Sequence, residues 1–535
     1  MFKKTVLYTV PSACAVLATS FALVACGGSS DSTGSSELAK FAPADSLFFA
    51  DATVRPTGDV AANVDAIATK LTGSTISDQL TEALDDQTGS KSMNYDADIK
   101  PWLGENVAVF GKTDLSNTSD LLAEGMPGAA AGATMMANQD ETYGIVAEST
   151  DDGAAQSFIT KAAEGEDTTE NEYEGNSYLI DQQDDTALGI VDSTVVAASD
   201  EAQFKAIVDA SSGDSLADAT GYKEVSGEAS DESVFDIYTA NEPILKASGE
   251  DQFPGIKDIY SAMGIDIADS ASLVSMVPGK DQMSLETFTN TDSDIVSGDA
   301  TDLISSFPAD SVFAAGTAGI GENITKIIDS IDETGIEGVV EPGELKKNLD
   351  EASQGGLDVR GLISSINELG FFVSGTTTEN LGGALVLTTD DPEPIKNALG
   401  SFSSLAGLAQ DAKVKPLSGG QTGFSVKTPE LPGRPVIVAL KGDRLVLAIG
   451  TPAANQVLDG NGDALADSTA FKDAQAALGD NGMDMFANAS SIATLIGEQG
   501  AEGSKEAADF FNKFDFMTGG HGESDNSLDI IAKLK

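Results

Sequence analysis

The chain repeats itself in order, and that constrains its fold more than any other feature. GDSLADATGYKE at 213–224 returns as GDALADSTAFKD at 462–473. PADSLFFA from Pro43 returns as PADSVFAA from Pro308, with six of eight residues identical. DIKPWL from Asp98 matches DVRGLI from Asp358, ESTDD ending at Asp152 matches LTTDD ending at Asp391, and MSLETFT from Met283 matches NSLDIIA from Asn526. Preserved order means one long duplication, with copies at 38–297 and 303–535. The offset falls from 260 to 239 between the second and third pairs, so the first copy carries about 21 extra residues within 112–141. That segment is rich in Gly, Ala and Met. It reads as a surface excursion between two strands, or as an adaptable apolar contact of the kind Met supplies.

Each copy mixes strands and helices. In the first, SLFFADATV (46–54), NVAVFG (106–111) and YGIVAES (143–149) read as strands. SYLIDQ, ALGIVDS and TVVAAS read as consecutive antiparallel strands between 177 and 199. SVFDIYTA is a further strand, and SLVSMVP with QMSLETFTNT forms a closing hairpin. Helical spacing predicts helices at 59–71, with Asp59 as cap, at 77–84, at 151–165, at 200–211 and in EPILKA. The second copy follows in FFVSGTT, GALVLTTDD, RPVIVALKGDRLVLAIG and the helix PAANQVLD. Adjacent strand runs predict an α+β fold: two tandem duplicated domains, each a mainly antiparallel sheet packed with helices. The repeated GD(S/A)LAD motif reads as a corner between helices. Gly213/Gly462, Asp214/Asp463, Asp218/Asp467 and Thr220/Thr469 supply turn and cap chemistry, and Leu216/Leu465 with Tyr222/Phe471 are core anchors.

The first 25 residues read as a secretory signal: Lys3 and Lys4, then an uncharged apolar stretch, then Leu23-Val24-Ala25-Cys26. This end resembles the bacterial lipobox, which implies diacylglyceryl transfer to Cys26 and cleavage before it. An uncleaved span is the alternative; Pro11 and the Ser and Thr residues weigh against it. Residues 26–37 form a Gly/Ser-rich tether. The mature chain would keep Cys26 alone, so no disulfide braces the fold and burial must stabilise it. Lys and Arg number 30 against 86 Asp and Glu, a net charge of −56. Such a body repels nucleic acid, whose binding rests on Lys and Arg. The acidity reads as solubility outside the cell, with binding of divalent cations or basic partners as the sharper alternative.

Searches for catalytic chemistry come back empty. His521, the single histidine, lies in GGHGES and reads as an exposed loop residue; one histidine excludes multi-histidine zinc sites. Asp459, Asn461 and Asp463 alternate like a calcium loop, but Ala464 and Ala470 stand where that loop needs Gly and Glu. Asp151-Asp152 and Asp390-Asp391 read as helix caps, and Trp102 as a core anchor rather than a stacking platform. No catalytic residue, cofactor or metal ligand is assigned, and Cys26 is the one site residue.

FAPADSLFFADATVRPTGD, DIKPWLGENVAVF, ESTDDGAAQSFITKA and GDSLADATGYKE, in that order, resemble the bacterial domain-of-unknown-function 3352 family. The second copy is looser: Leu362 replaces Trp102, and RPTGD is not kept. The resemblance implies an exported or membrane-anchored α+β protein and transfers no catalytic residue. The expected function is a non-enzymatic scaffold, held to the membrane through Cys26, that binds an envelope protein or an apolar ligand. Carriage of a lipid is the alternative, and a carboxylate-dependent glycan hydrolase is a third reading.

Overall fold

The computed structural model describes residues 36–75, 93–112, 142–241, 255–267, 270–291, 298–336, 338–354, 358–377, 380–406, 413–417, 421–427, 433–460, 462–498, 503–522 and 527–535. Cys26, the helices expected at 77–84 and in EPILKA, and residues 113–141 lie outside them. The chain divides into two compact units, Met1–Gly249 with Ala268–Asn290, and Glu250–Ile267 with Thr291–Lys535. The helix Ile256–Ala262 belongs to the second unit, where it packs against the helix Ile320–Thr334.

The strands of the first unit are β1 Phe48–Thr53, β2 Leu103–Lys112, β3 Thr142–Ser149, β4 Thr168–Tyr173, β5 Asn176–Asp181, β6 Ala187–Val191, β7 Thr194–Ala198, β8 Phe235–Ala240, β9 Ala271–Pro278 and β10 Gln282–Thr289. They pair in the order β10-β9-β8-β1-β2-β3-β7-β6-β5-β4, every pair antiparallel. The second unit has β11 Ser311–Ala318, β12 Ile366–Ser374, β13 Gly382–Thr389, β14 Lys413–Pro416, β15 Thr422–Lys427, β16 Val436–Lys441, β17 Arg444–Ile449, β18 Met485–Asn488, β19 Phe514–His521 and β20 Ser527–Leu534. Its order is β20-β19-β18-β11-β12-β13-β17-β16-β15-β14, again antiparallel throughout. This is the first order with every strand number raised by ten. Each unit is therefore α+β around an antiparallel sheet.

Both faces of the first sheet are covered, which explains why NVAVFG and TVVAAS are apolar at nearly every position. Val107 and Val109 point to one face, with Ile145, Ala147, Val195 and Ala197. That face is covered by Val60 and Val64 of the helix Gly58–Thr72, by Phe158 and Ile159 of the helix Asp152–Ala162, and by Trp102. Trp102 is fully buried, its ring 5.0 Å from that of Phe158, and its Nε1–H donates to the Asp98 carbonyl at 2.9 Å. Ala108 and Phe110 face the other way, beneath Leu38 and Phe41, the helix Glu201–Ser212 and the helix Thr220–Ser226.

Caps follow the sequence with two corrections. Asp151 Oδ1 accepts the N–H groups of Gly153 and Ala154, and Asp200 accepts that of Gln203. Asp59 is not a cap: Thr57 precedes the helix, and Asp59 sits in its first turn, where its charge suits the helix dipole. In the second corner Ser468, not Thr469, accepts the Phe471 N–H.

The repeated motifs lock onto each other. Pro43 bridges to Ser215, and Pro308 to Ala464. Leu216 donates its N–H to the Ala42 carbonyl at 2.8 Å, and Leu465 to that of Phe307 at 2.6 Å. Leu216, Leu465, Tyr222 and Phe471 are all buried. The corner is scaffold in both units.

Candidate functional site

Two features remain once the scaffold is accounted for: a polar cleft in the first unit and an open apolar sheet face in the second.

The cleft encloses about 530 Å³. Asp51 of β1 and Asp236 of β8 occupy directly opposed register positions in it. Both are half-buried, on the sheet face that carries Phe49. Burial, the charge of Asp236 and that of Glu148 push the Asp51 carboxyl well above the usual carboxylate range, against a hydrogen bond from Ser36. Burial also raises Asp236, offset in part by the Ser233 hydroxyl at 2.7 Å. The motif aromatic Tyr222 lies close by, and burial and the Asp51 charge hold its phenol well above its ordinary value.

Glu148, in the wall, is spoken for. Its Oε2 accepts the Glu105 and Asn106 N–H groups at 3.1 Å each, and Oε1 accepts the Asn106 side-chain amide at 3.0 Å. These bonds bridge the register shift between β2 and β3. Gly104 makes the approach possible, because a Cβ there would stand 2.5 Å from that of Glu148. Exposed Glu37, Asp192 and Asp231 rim the mouth, with Lys40 the one cation among the lining residues.

The second unit differs at each matching position. Pairing register puts Gly316 opposite Asp484, where the first unit has Asp51 opposite Asp236; the Gly316 N–H donates to the Asp484 carbonyl at 2.9 Å. Phe471 stands for Tyr222. Asp484 takes His521 as partner, Nδ1 to Oδ2 at 2.5 Å, while its buried Oδ1 has no hydrogen-bond partner. Burial and the Asp299 charge raise the Asp484 carboxyl to about 6 despite the imidazole. His521 is thus a half-buried residue ending β19, not the exposed loop residue expected, because strand pairing carries GGH into the sheet beside Asp484.

The apolar face is the more extensive contrast. Phe371, Leu385 and Leu447 are register neighbours across β12, β13 and β17. They are 43, 36 and 44% exposed, and Ile449 beside them is 42% exposed. The matching positions of the first unit, Val109, Ile145 and Ala197, are 2, 1 and 0% exposed. The helix Pro392–Ala406 does not close this face: its Ile395 and Leu399 pack on Phe424 and Leu440. In the helix Ile320–Thr334, Ile324, Ile327 and Ile328 stay half-exposed. Leu362, in Trp102's place, is only half-buried.

The remaining expected positions are structural. Asp459 pairs with Lys441 at 2.6 Å, and Asn461 lies outside the described residues. Asp391 accepts the Glu393 N–H at 3.1 Å. Among the described residues no three His, Cys, Asp or Glu side chains converge as a metal site would require, and no helix is long and apolar enough to cross a membrane. Sequence reasoning missed both the cleft and the apolar face.

Among solved structures, crystal form IV of TP0453 aligns at 12% identity over 48% of this chain and 81% of that one, with a TM-score of 0.25. Crystal form I aligns at 9% over 81% and 99%, with a TM-score of 0.18. Likeness at this level carries no assignment. No curated protein matches the chain. The family model described as a protein of unknown function, DUF3352, matches residues 8–528, so the chain belongs to that family.

Proposed function

We propose that this is a non-enzymatic, lipid-anchored cell-envelope protein whose second unit holds an apolar ligand, such as the acyl chain of a lipid, on its open sheet face. The carrying observation is the run Phe371, Leu385, Leu447 and Ile449, solvent-exposed where the first unit is closed by its own helices. Contiguous exposed apolar surface marks interaction sites, and each Å² covered contributes roughly 25 cal/mol. An acyl chain fits because the register-equivalent positions in the first unit are satisfied by purely apolar cover. The shared strand order and repeated motifs support an origin by duplication, one copy keeping its cover and the other losing it. Asp51 and Asp236 stand side by side on neighbouring strands rather than facing each other across a cleft, which favours binding over glycan hydrolysis.

Native mass spectrometry of residues 36–535 purified from an envelope extract tests the ligand. Extra mass that leaves on denaturation and is identified as lipid is expected, and Leu385→Glu with Leu447→Glu should abolish it. Bare protein from a lipid-replete extract would refute the reading. For the anchor, which rests on the Leu23–Cys26 sequence, Cys26→Ala should abolish metabolic labelling with a fatty-acid analogue. Labelling that persists would remove it.

A further inference from the structure

The open face of the second unit has a charged end. Leu445, Leu447 and Ile449 follow one another on the open side of β17, about 14 Å from first to last at the rise of a strand. Leu385 and Gly383 lie beside the last two on β13, and none of these positions brings a polar side chain. Arg434 stands where the run ends. It is half-buried, two residues before Val436, which is one register partner of Ile449. Its Nη1 donates to the Leu381 carbonyl at 2.9 Å, two residues before Gly383, the other register partner of Ile449. The side chain therefore reaches from the β16 side to the β13 side across the end of β17. A carbonyl orients a guanidinium without neutralising it, and the planar fork of donors suits a carboxylate or a phosphate. The first unit reverses the charge at this place. Val438 pairs with Leu447 as Leu188 pairs with Ala197. Four residues before Val438 stands Arg434, and four before Leu188 stands Asp184, which accepts the Thr186 N–H at 3.3 Å. The copy with the closed face has an acid at the matching position, and the copy with the open face has a cation.

We propose that the ligand of the open face is an anionic amphiphile, its alkyl chain along β17 and its carboxylate or phosphate headgroup on Arg434. This rests on the reading that the face takes an apolar ligand, and adds the charge that orients it. The protein carries a net charge of −56, so its overall field disfavours an anion, and a preference for one reports a local cation.

The test is calorimetric titration of residues 36–535 with laurate, dodecyl phosphate and dodecanol, matched in chain length and different in headgroup. At least one of the two anions should bind about tenfold more tightly than the alcohol, the worth of a charge-assisted hydrogen bond. The tighter of the two names the headgroup. Arg434→Gln keeps an amide donor for the Leu381 carbonyl. It should bring the anions down to the affinity of the alcohol and shift the alcohol by no more than about twofold, while Arg434→Lys should retain part of the preference. Melting curves check that both variants fold, and the comparison of ligands on the unaltered protein stands whatever they show. Equal binding of all three ligands, or an anion preference that survives Arg434→Gln, would overturn the headgroup assignment and leave the apolar site standing. Binding of none of them would overturn the apolar reading itself, and this inference with it.

Discussion

The two units share a strand order and differ in what covers one face. At matching register, Ile145 is closed beneath helices and Leu385 is open to solvent. The difference lies in the covering elements rather than in the sheets. Trp102, packed on Phe158, anchors the cover of the first unit, whereas the second has Leu362 in its place and a helix that covers the same face only to one side, over Phe424, Val438, Leu440 and Leu445. The opposite faces diverge in the other sense. The first unit carries Asp51, Asp236 and Tyr222 around a polar cleft, and the second carries Gly316, Asp484 and Phe471. Two units with one strand order and the same corners thus present different chemistry on corresponding faces.

The contrast breaks most plainly on core truncation. Ile145→Ala should cost about 2–5 kcal/mol, transfer plus cavity. Leu385→Ala, at the same register, should cost about 1 kcal/mol or less. Urea unfolding followed by hydrogen exchange in each unit measures both, and equal losses would show that the second face is closed in solution.

A smaller effect sharpens the polar comparison. The Asp484 carboxyl, ordinarily near 3.8, is raised to about 6, so the folded state binds its proton more tightly than the unfolded chain does. The associated stability is fully present below about pH 4 and is lost as pH rises through 6. Asp484→Asn should therefore flatten the stability profile between pH 4 and 7 by on the order of 1 kcal/mol, discounted for its contact with solvent. Asp51 is raised in the same direction by burial and by Asp236. Asp51→Asn should stabilise the first unit by about 0.2–1 kcal/mol at pH 7 and not at pH 4. Thermal melts at the two pH values read both, and a loss of stability at pH 7 in either variant would contradict the assignment.

Much of the scaffold was legible because local chemistry decides it. Apolar runs gave the central strands, and Asp151 and Asp200 announced their helices. The repeated corner explained its own turn residues. Strand β4, TTENEY, was missed because it is half-exposed or exposed along its length and carries no apolar alternation. The helix Ile320–Thr334 was overlooked, although Ile320, Ile324, Ile327, Ile328 and Ile331 recur at helical spacing. The cleft was not legible: Asp51 and Asp236 are distant in sequence and meet only through β1–β8 pairing. The open face was hidden for a different reason. Phe371, Leu385 and Leu447 look like core residues, and only the placement of other helices leaves them uncovered. His521 was misjudged because GGHGES reads as a turn, while pairing with β20 draws its first residues into a strand.

The central claim is that the second sheet face, and not its counterpart in the first unit, receives an apolar ligand. The most direct test is photolabelling of residues 36–535 with a diazirine-bearing fatty acid, followed by peptide mapping. The account predicts adducts on the peptides carrying Phe371, Leu385, Leu447 and Ile449, competed away by unlabelled lipid. Adducts confined to the first unit, or spread without competition over the whole chain, would contradict it.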